Sequence, residues 1–288
     1  MNIQTKFEPT AAQVDVSAPS TGEILTIGTG FQARSFKHSA FAGLMDPLIM
    51  VDHFTMTEPT FGSHAHAGMS AVSVLFEDST GLFHNRDSLG HDIDLAPGDL
   101  YWLKAARGAV HNEASRPGSR THALQVFVNL PARMKHDAPD ALHVPAAEMP
   151  VIQGHGSQAR LMLGQSNGRV GAQSPALPMT ILDVVLAPGG AFDHQPGPDQ
   201  GVWVYALDGA ITVQAPGQKI DVTMGAAVAL HGAAELRLQS QTAAHVAILH
   251  GTPIREPFVQ RGPYAMSTLE DLDAVAADYA AGRLGNID

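Results

Sequence analysis

Val72-Ser73-Val74-Leu75-Phe76 is a short apolar run that ends in a polar turn, and Val202-Trp203-Val204-Tyr205-Ala206 repeats it later in the chain. A strand led by glycine follows each, Gly98-Asp99-Leu100-Tyr101 in the first half and Gly225-Ala226-Ala227-Val228 in the second. The offset between matching features is roughly 130 residues, the size of one small barrel. Further β-type runs stand at residues 124–128, 181–186, 211–214 and 246–249. Turn residues punctuate them: Asp87-Ser88-Leu89-Gly90, Pro97-Gly98-Asp99, Pro188-Gly189-Gly190 and Pro216-Gly217. Many short strands with even spacing and little helical periodicity predict an all-β fold, a sandwich or a barrel in each half. The junction falls in the breaker-rich stretch from Asn129-Leu130-Pro131 to Pro139, which divides the chain into residues 1–135 and 136–288. Only the tail reads as a helix. Ser267-Thr268-Leu269-Glu270 has the form of a capping box, Leu269, Leu272, Val275, Ala276 and Tyr279 fall on one helical face, and Gly282 closes it.

Composition narrows the function classes. The 288 residues are 44% hydrophobic and 16% charged, enough for two cores, and the formal charge is -11. Without a cluster of Lys and Arg, direct binding to nucleic acid or to an anionic membrane is not expected. The chain has no cysteine, so disulfides, zinc ribbons and thiol nucleophiles are excluded. No basic segment leads into an apolar run at the start, and the longest apolar stretches are too short to cross a bilayer. A cytoplasmic location is the expectation.

One constellation carries chemistry. With fifteen histidines in the chain, a His-x-His pair arises by chance, so His64-Ala65-His66 alone means little. Residues two apart in a strand project from the same face, however, and His111-Asn112-Glu113 repeats the spacing. Two such pairs on neighbouring strands bring three imidazoles and one carboxylate to one point. That donor set suits one divalent ion of iron, zinc, manganese, nickel or copper and leaves room for an exogenous ligand. The second half retains only His194 at the matching offset, with Pro196 in place of the second histidine and neither ligand in the strand near 236–240. His194 is expected to be a surface or hydrogen-bonded residue, and the second barrel to be free of metal. His53 is expected to pack or to make a supporting hydrogen bond, and His84 and Arg86-Asp87 to serve a turn.

Asp46-Pro47 through Asp52-His53-Phe54, His64-Ala65-His66-Ala67-Gly68, residues 84–90, Pro97-Gly98-Asp99, Trp102 and Arg107-Gly108 through Glu113 together resemble the pirin family of the cupin superfamily. Asn129-Leu130-Pro131, Lys135, Gly251-Thr252-Pro253-Ile254, Glu256-Pro257, Gly262-Pro263 and Met266 extend the resemblance, in order, over nearly the whole chain. It implies two cupin jelly-roll barrels and a single mononuclear site, iron in the usual case, on His64, His66, His111 and Glu113. It also implies a choice of function. One is an iron-dependent dioxygenase that takes a small aromatic, flavonol-type substrate, with Glu113 as its base. The other is a metal- or redox-sensing regulator that binds a protein partner without turnover. A cupin isomerase or storage-like protein ranks behind both. Where the commoner pirin motif reads His-Pro-His-Arg-Gly-Phe-Glu, this chain has Ala67, Met69 and Ser70 at the Arg, Phe and Glu positions. That change bears on substrate and activity rather than on the metal ligands.

Overall fold

The computed structural model describes residues 14–287. Its strands curl into two barrels set side by side, and the one α-helix among the described residues, Leu269–Ala280, follows them. This is the all-β architecture of two tandem barrels that the repeat and the resemblance implied. The first barrel has two layers. Seven antiparallel strands run in the order Asp140–Val144, Leu100–Lys104, Met69–Leu75, Thr121–Asn129, Leu48–Met56, Phe31–Lys37 and Glu23–Ile27. A second layer of four holds His64–His66, Ala109–Ser115, Phe83–Asp87 and Asp92–Leu95. In the second barrel nine strands form one network. Its long strand Met179–His194 pairs with Ala244–Gly251 at one end and Leu236–Gln239 at the other, so it turns the corner between layers.

Pairing crosses the expected 135/136 division in both directions. Asp140–Val144 completes the first barrel's large sheet, while Asp15–Val16 pairs with Ala227–His231 of the second barrel. The chain is thus stitched across the seam at two places.

Alternation along the strands explains the seam. On one face of the first barrel's large sheet, Phe36, Val72, Val74, Trp102, Leu124 and Val126 join Ile181, Trp203, Tyr205 and Leu249 of the second barrel in one buried cluster. The Phe36 ring stands edge-on to Trp203 and Tyr205, with centroids 5.4 and 5.0 Å away. Burying a large apolar side chain contributes about 1.5–3 kcal/mol, so this common core makes the two barrels one cooperative unit.

Polar chains frame the seam. Tyr205 donates its hydroxyl hydrogen to His53 Nδ1 (2.6 Å), His53 Nε2 meets His122 Nε2 (2.6 Å), and His122 Nδ1 reaches Asp78 (2.6 Å). One proton on each imidazole satisfies the whole chain with both rings neutral. His53 therefore is the satisfied, hydrogen-bonded histidine expected from sequence, directed at the second barrel. Arg160 of the second barrel bonds Asp183 and donates to the Gly98 carbonyl of the first, with Glu77 at 3.5 Å.

The terminal helix begins one residue later than its capping box suggested. Thr268, not Ser267, is the N-cap, and its hydroxyl accepts from the Asp271 N–H at 3.1 Å. Leu272 and Val275 are buried, whereas Leu269 is exposed. Among the described residues no helix is long and apolar enough to cross a membrane.

Burial pushes His53 from the ordinary imidazole value of 6.5 down to about 3, and His122 beside it acts in the same direction. A histidine whose folded pKa lies below its unfolded value stabilises the fold above pH 6.5, and that stability is lost as pH falls towards 3. Urea unfolding of His53→Gln should therefore show a deficit against the unaltered protein at pH 7.5 that narrows steadily by pH 4.5. A deficit that is the same at both pH values would contradict a buried neutral His53.

Candidate metal centre

The strand His64–His66 is only three residues long and pairs antiparallel with Ala109–Ser115, His64 directly opposite His111 and His66 opposite Ala109. Strand alternation sends His64, His66 and His111 to the inner face and Ala65 and Val110 to the outer one. On that outer side Ala65, Ala67 and Val110 pack against Met266, Leu272, Val275, Leu284 and Ile287. The terminal helix and the segments that flank it thus form the apolar backing of the ligand strands.

The turn that follows is fixed as firmly. Gly68 has φ +71, and a Cβ there would collide with the Ala265 carbonyl. Only glycine allows that approach without strain. The buried ammonium of Lys135 donates to the carbonyls of Gly68 (2.8 Å) and Ala265 (2.6 Å) and to Asn129 Oδ1 (2.6 Å). Three acceptors use all three of its protons. Burial brings its pKa down to about 8, against Glu256 and Asp271, which favour the charge. Junction, ligand turn and C-terminal segment meet at this one amine.

On the inner face the three imidazoles converge. Nε2 of His66 lies 2.9 Å from that of His111 and 3.2 Å from that of His64, and His111 and His64 are 3.1 Å apart. His64 Nδ1 donates to the Gly62 carbonyl at 2.9 Å, which leaves its Nε2 with a lone pair. Burial first, and then the neighbouring histidines, hold His66 down to about 3 and His111 well below the ordinary range. Neutral rings cannot all donate to one another in such a triangle, and lone pairs that converge repel. A cation at the centre removes the conflict, so the residues fit a metal ion. The three could hold one: their ligand atoms lie within 4.8 Å of one another, a grouping found once among the described residues.

The fourth predicted ligand stands beside this group and not within it. Glu113 is two residues beyond His111 on the same strand and faces the same cavity. Its Oε1 accepts from Ser73 Oγ at 2.5 Å, and its Oε2 is 3.9 Å from His111 Nδ1. Burial raises its pKa to about 7, opposed by the Ser73 hydrogen bond.

The cavity before the histidines holds about 200 Å³ and is walled chiefly by Met50, Phe54, Met56, Phe61, Phe83 and Phe127. The Phe127 ring stands edge-on to His66 at 5.0 Å. Asp52 and Gln125 also line it, and sequence reasoning gave neither a role. The available signal was the alternation in Leu48–Met56, which puts Asp52 on the same face as Met50, Phe54 and Met56. Trp102, by contrast, belongs to the seam. Asp87 accepts from the hydroxyl of Tyr101 and from the backbone N–H groups of Leu89 and His91, which matches its expected turn role. Ala67, Met69 and Ser70 are fully buried and none of them lines the cavity.

In the second barrel His194 pairs with Leu236, as His64 pairs with His111, so an aliphatic side chain replaces the ligand. His194 is buried, not at the surface, and hydrogen-bonded. Its Nδ1 is 2.9 Å from Ser166 Oγ and its Nε2 is 2.9 Å from His250 Nε2. One proton between two neutral rings satisfies this pair without a metal.

Residues 25–128 match the pirin family model, and residues 181–285 match that of the pirin C-terminal cupin domain. Mouse pirin is 30% identical over 84% of this chain and 83% of its own length. A pirin-like protein of Caulobacter vibrioides is 28% identical over 91% of this chain and 96% of its own. Among solved structures, quercetin 2,3-dioxygenase from Acinetobacter baumannii superposes with a TM-score of 0.81 at 23% identity, over 95% of this chain and 98% of that one. A bacterial pirin of Escherichia coli in complex with nickel(II) superposes with a TM-score of 0.64 at 15% identity, over 84% of this chain and all of that one.

Calorimetric titration of metal-stripped protein with nickel(II) should give one ion per chain. His111→Ala removes the imidazole that bridges both strands and should weaken that binding at least roughly 100-fold. Unchanged affinity in a folded His111→Ala protein would place the ion elsewhere.

Proposed function

As the chain belongs to the pirin family, we propose that it is a metal-dependent dioxygenase for flavonol-type aromatics, in which His64, His66 and His111 hold one divalent ion, iron(II) in the first place, and Glu113 beside them is the base. The observation that supports this most is the triangle of converging imidazoles at the end of a cavity walled by Met and Phe side chains. A cavity of that kind takes planar rings by dispersion and edge-to-face contact and excludes water. The resemblance in fold to a quercetin 2,3-dioxygenase names the ring system to try first.

Glu113 acts on the proton. The O–H bond of the substrate's reacting hydroxyl breaks, its electron pair stays on oxygen, and the proton passes to the carboxylate. Ser73 already donates to Oε1, so Oε2 is the oxygen that receives it. A carboxyl that burial holds near 7 is matched to a phenolic or enolic proton far better than one at the ordinary value. Phe127 and the Met and Phe walls orient the ring while this happens. A divalent ion held by His64, His66 and His111 would supply Lewis acidity for the reaction with dioxygen.

The departures at Ala67, Met69 and Ser70 do not weigh against catalysis, because these side chains lie outside the cavity wall. The regulator reading, in which the same ion is sensed and a protein partner bound, rests on family resemblance alone.

Iron-loaded protein, prepared anaerobically, should show saturable oxygen uptake with quercetin, and His111→Ala none. Glu113→Gln should keep its iron and lose about 100-fold or more in turnover. Iron-loaded protein that consumes no oxygen with any flavonol would favour the regulator, and full turnover by iron-bound Glu113→Gln would remove the base role.

A further inference from the structure

The two barrels allow a comparison within one chain. Across the first barrel's large sheet, strand register places Ser35 beside Asp52, Asp52 beside Gln125, Gln125 beside Ser73, and Ser73 beside Tyr101. The same strands of the second barrel place Leu161 beside Leu182, Leu182 beside Ile248, Ile248 beside Val204, and Val204 beside Val228. Those five aliphatic residues lie together in its core. One fold therefore closes with an all-aliphatic rung in one copy and an all-polar rung in the other. The fold does not require the polar one, and interior polar groups weaken a core unless something pairs with them.

Most of the polar rung is accounted for. Tyr101 donates to Asp87, and Ser73 donates to Glu113. Ser35 hydrogen-bonds Asp52, burial pushes the Asp52 carboxyl upwards, and exposed Lys37 acts against that shift. Two buried atoms remain without a partner: Asp52 Oδ1 and Gln125 Nε2. They belong to cross-strand neighbours, and both residues line the cavity in front of the histidines. A ligand hydroxyl answers Asp52 by donating to its carboxylate, and the Gln125 amide, one end of which meets Ser73 Oγ at 3.1 Å, flanks it.

We infer that Asp52, with Gln125, is a second polar subsite of the cavity, which binds a hydroxyl of the aromatic ligand remote from the reacting oxygen. Strands lie about 4.8 Å apart, so Asp52 is roughly 10 Å along the sheet from Ser73, which holds Glu113. That span selects a ligand of two or three rings with hydroxyl groups at both ends, and it disfavours one with only the reacting hydroxyl. The inference rests on the proposed use of this cavity for flavonol-type aromatics and gives Asp52 a positioning role. A site built to pair with a hydroxyl rejects the analogue that lacks it more strongly than an apolar wall can.

The test is equilibrium binding without oxygen, by calorimetry on metal-loaded protein, with quercetin and with 3-hydroxyflavone, which lacks the remote hydroxyls. The unaltered protein should bind quercetin roughly 10- to 100-fold more tightly. Asp52→Leu, which installs the residue of the second barrel's rung, should bind both ligands alike while it keeps its metal and its affinity for 3-hydroxyflavone. Asp52→Asn should retain part of the preference. Equal affinities in the unaltered protein, binding of neither ligand, or a preference that survives in metal-loaded Asp52→Leu would overturn the subsite. Binding with the expected discrimination but no oxygen uptake would leave the subsite in place and remove only the dioxygenase.

Discussion

The structure depends on the pairing of His64 with His111 across two strands, one of which is three residues long. A strand that short contributes little of its own, yet it must hold an imidazole within 3.2 Å of two others. Its register is secured from outside. Apolar side chains of the terminal segment press on Ala65 and Val110 from behind, and the Lys135 ammonium clamps the turn at Gly68. A slip of one residue would turn both histidines outward and bring Ala65 into the cavity. The cavity, the convergence of the histidines and C-terminal packing are therefore aspects of one constraint on strand register.

The two barrels divide the work by side-chain chemistry rather than by shape. Both use the same strand order and the same rung positions. The first fills an interior rung with Ser35, Asp52, Gln125, Ser73 and Tyr101, and it accepts the energetic penalty of buried polar groups beside the cavity. The second fills it with aliphatic residues and closes His194 against His250. It braces the first barrel through the seam around Phe36, Trp203 and Tyr205.

Much of this was legible in the sequence because the signals were local. The repeat of Gly98-Asp99-Leu100-Tyr101 in Gly225-Ala226-Ala227-Val228 marks equivalent strands, and the period of two in His64-Ala65-His66 and His111-Asn112-Glu113 marks shared faces. What was not legible depends on contacts distant in sequence. The polar rung joins residues 35, 52, 125, 73 and 101, and no window along the chain shows five such residues as neighbours. The pairing of Asp140–Val144 and Asp15–Val16 across the breaker-rich junction is invisible for the same reason, since composition marks where a chain bends but not which sheet it joins. Thr268 displaced Ser267 as N-cap because cap choice follows backbone direction, which two adjacent hydroxyl residues do not reveal. His194 shows the limit of reading by offset: its position matched that of a ligand, and only its neighbours Ser166 and His250 show how it is satisfied.

The backing of the ligand strands also orders events in time. Leu272, Val275, Leu284 and Ile287 leave the ribosome more than 150 residues after His111, when the strands of both barrels have already been made. While the chain grows, the His64–His66 strand has no wall behind it, so its register is settled only once these late residues dock.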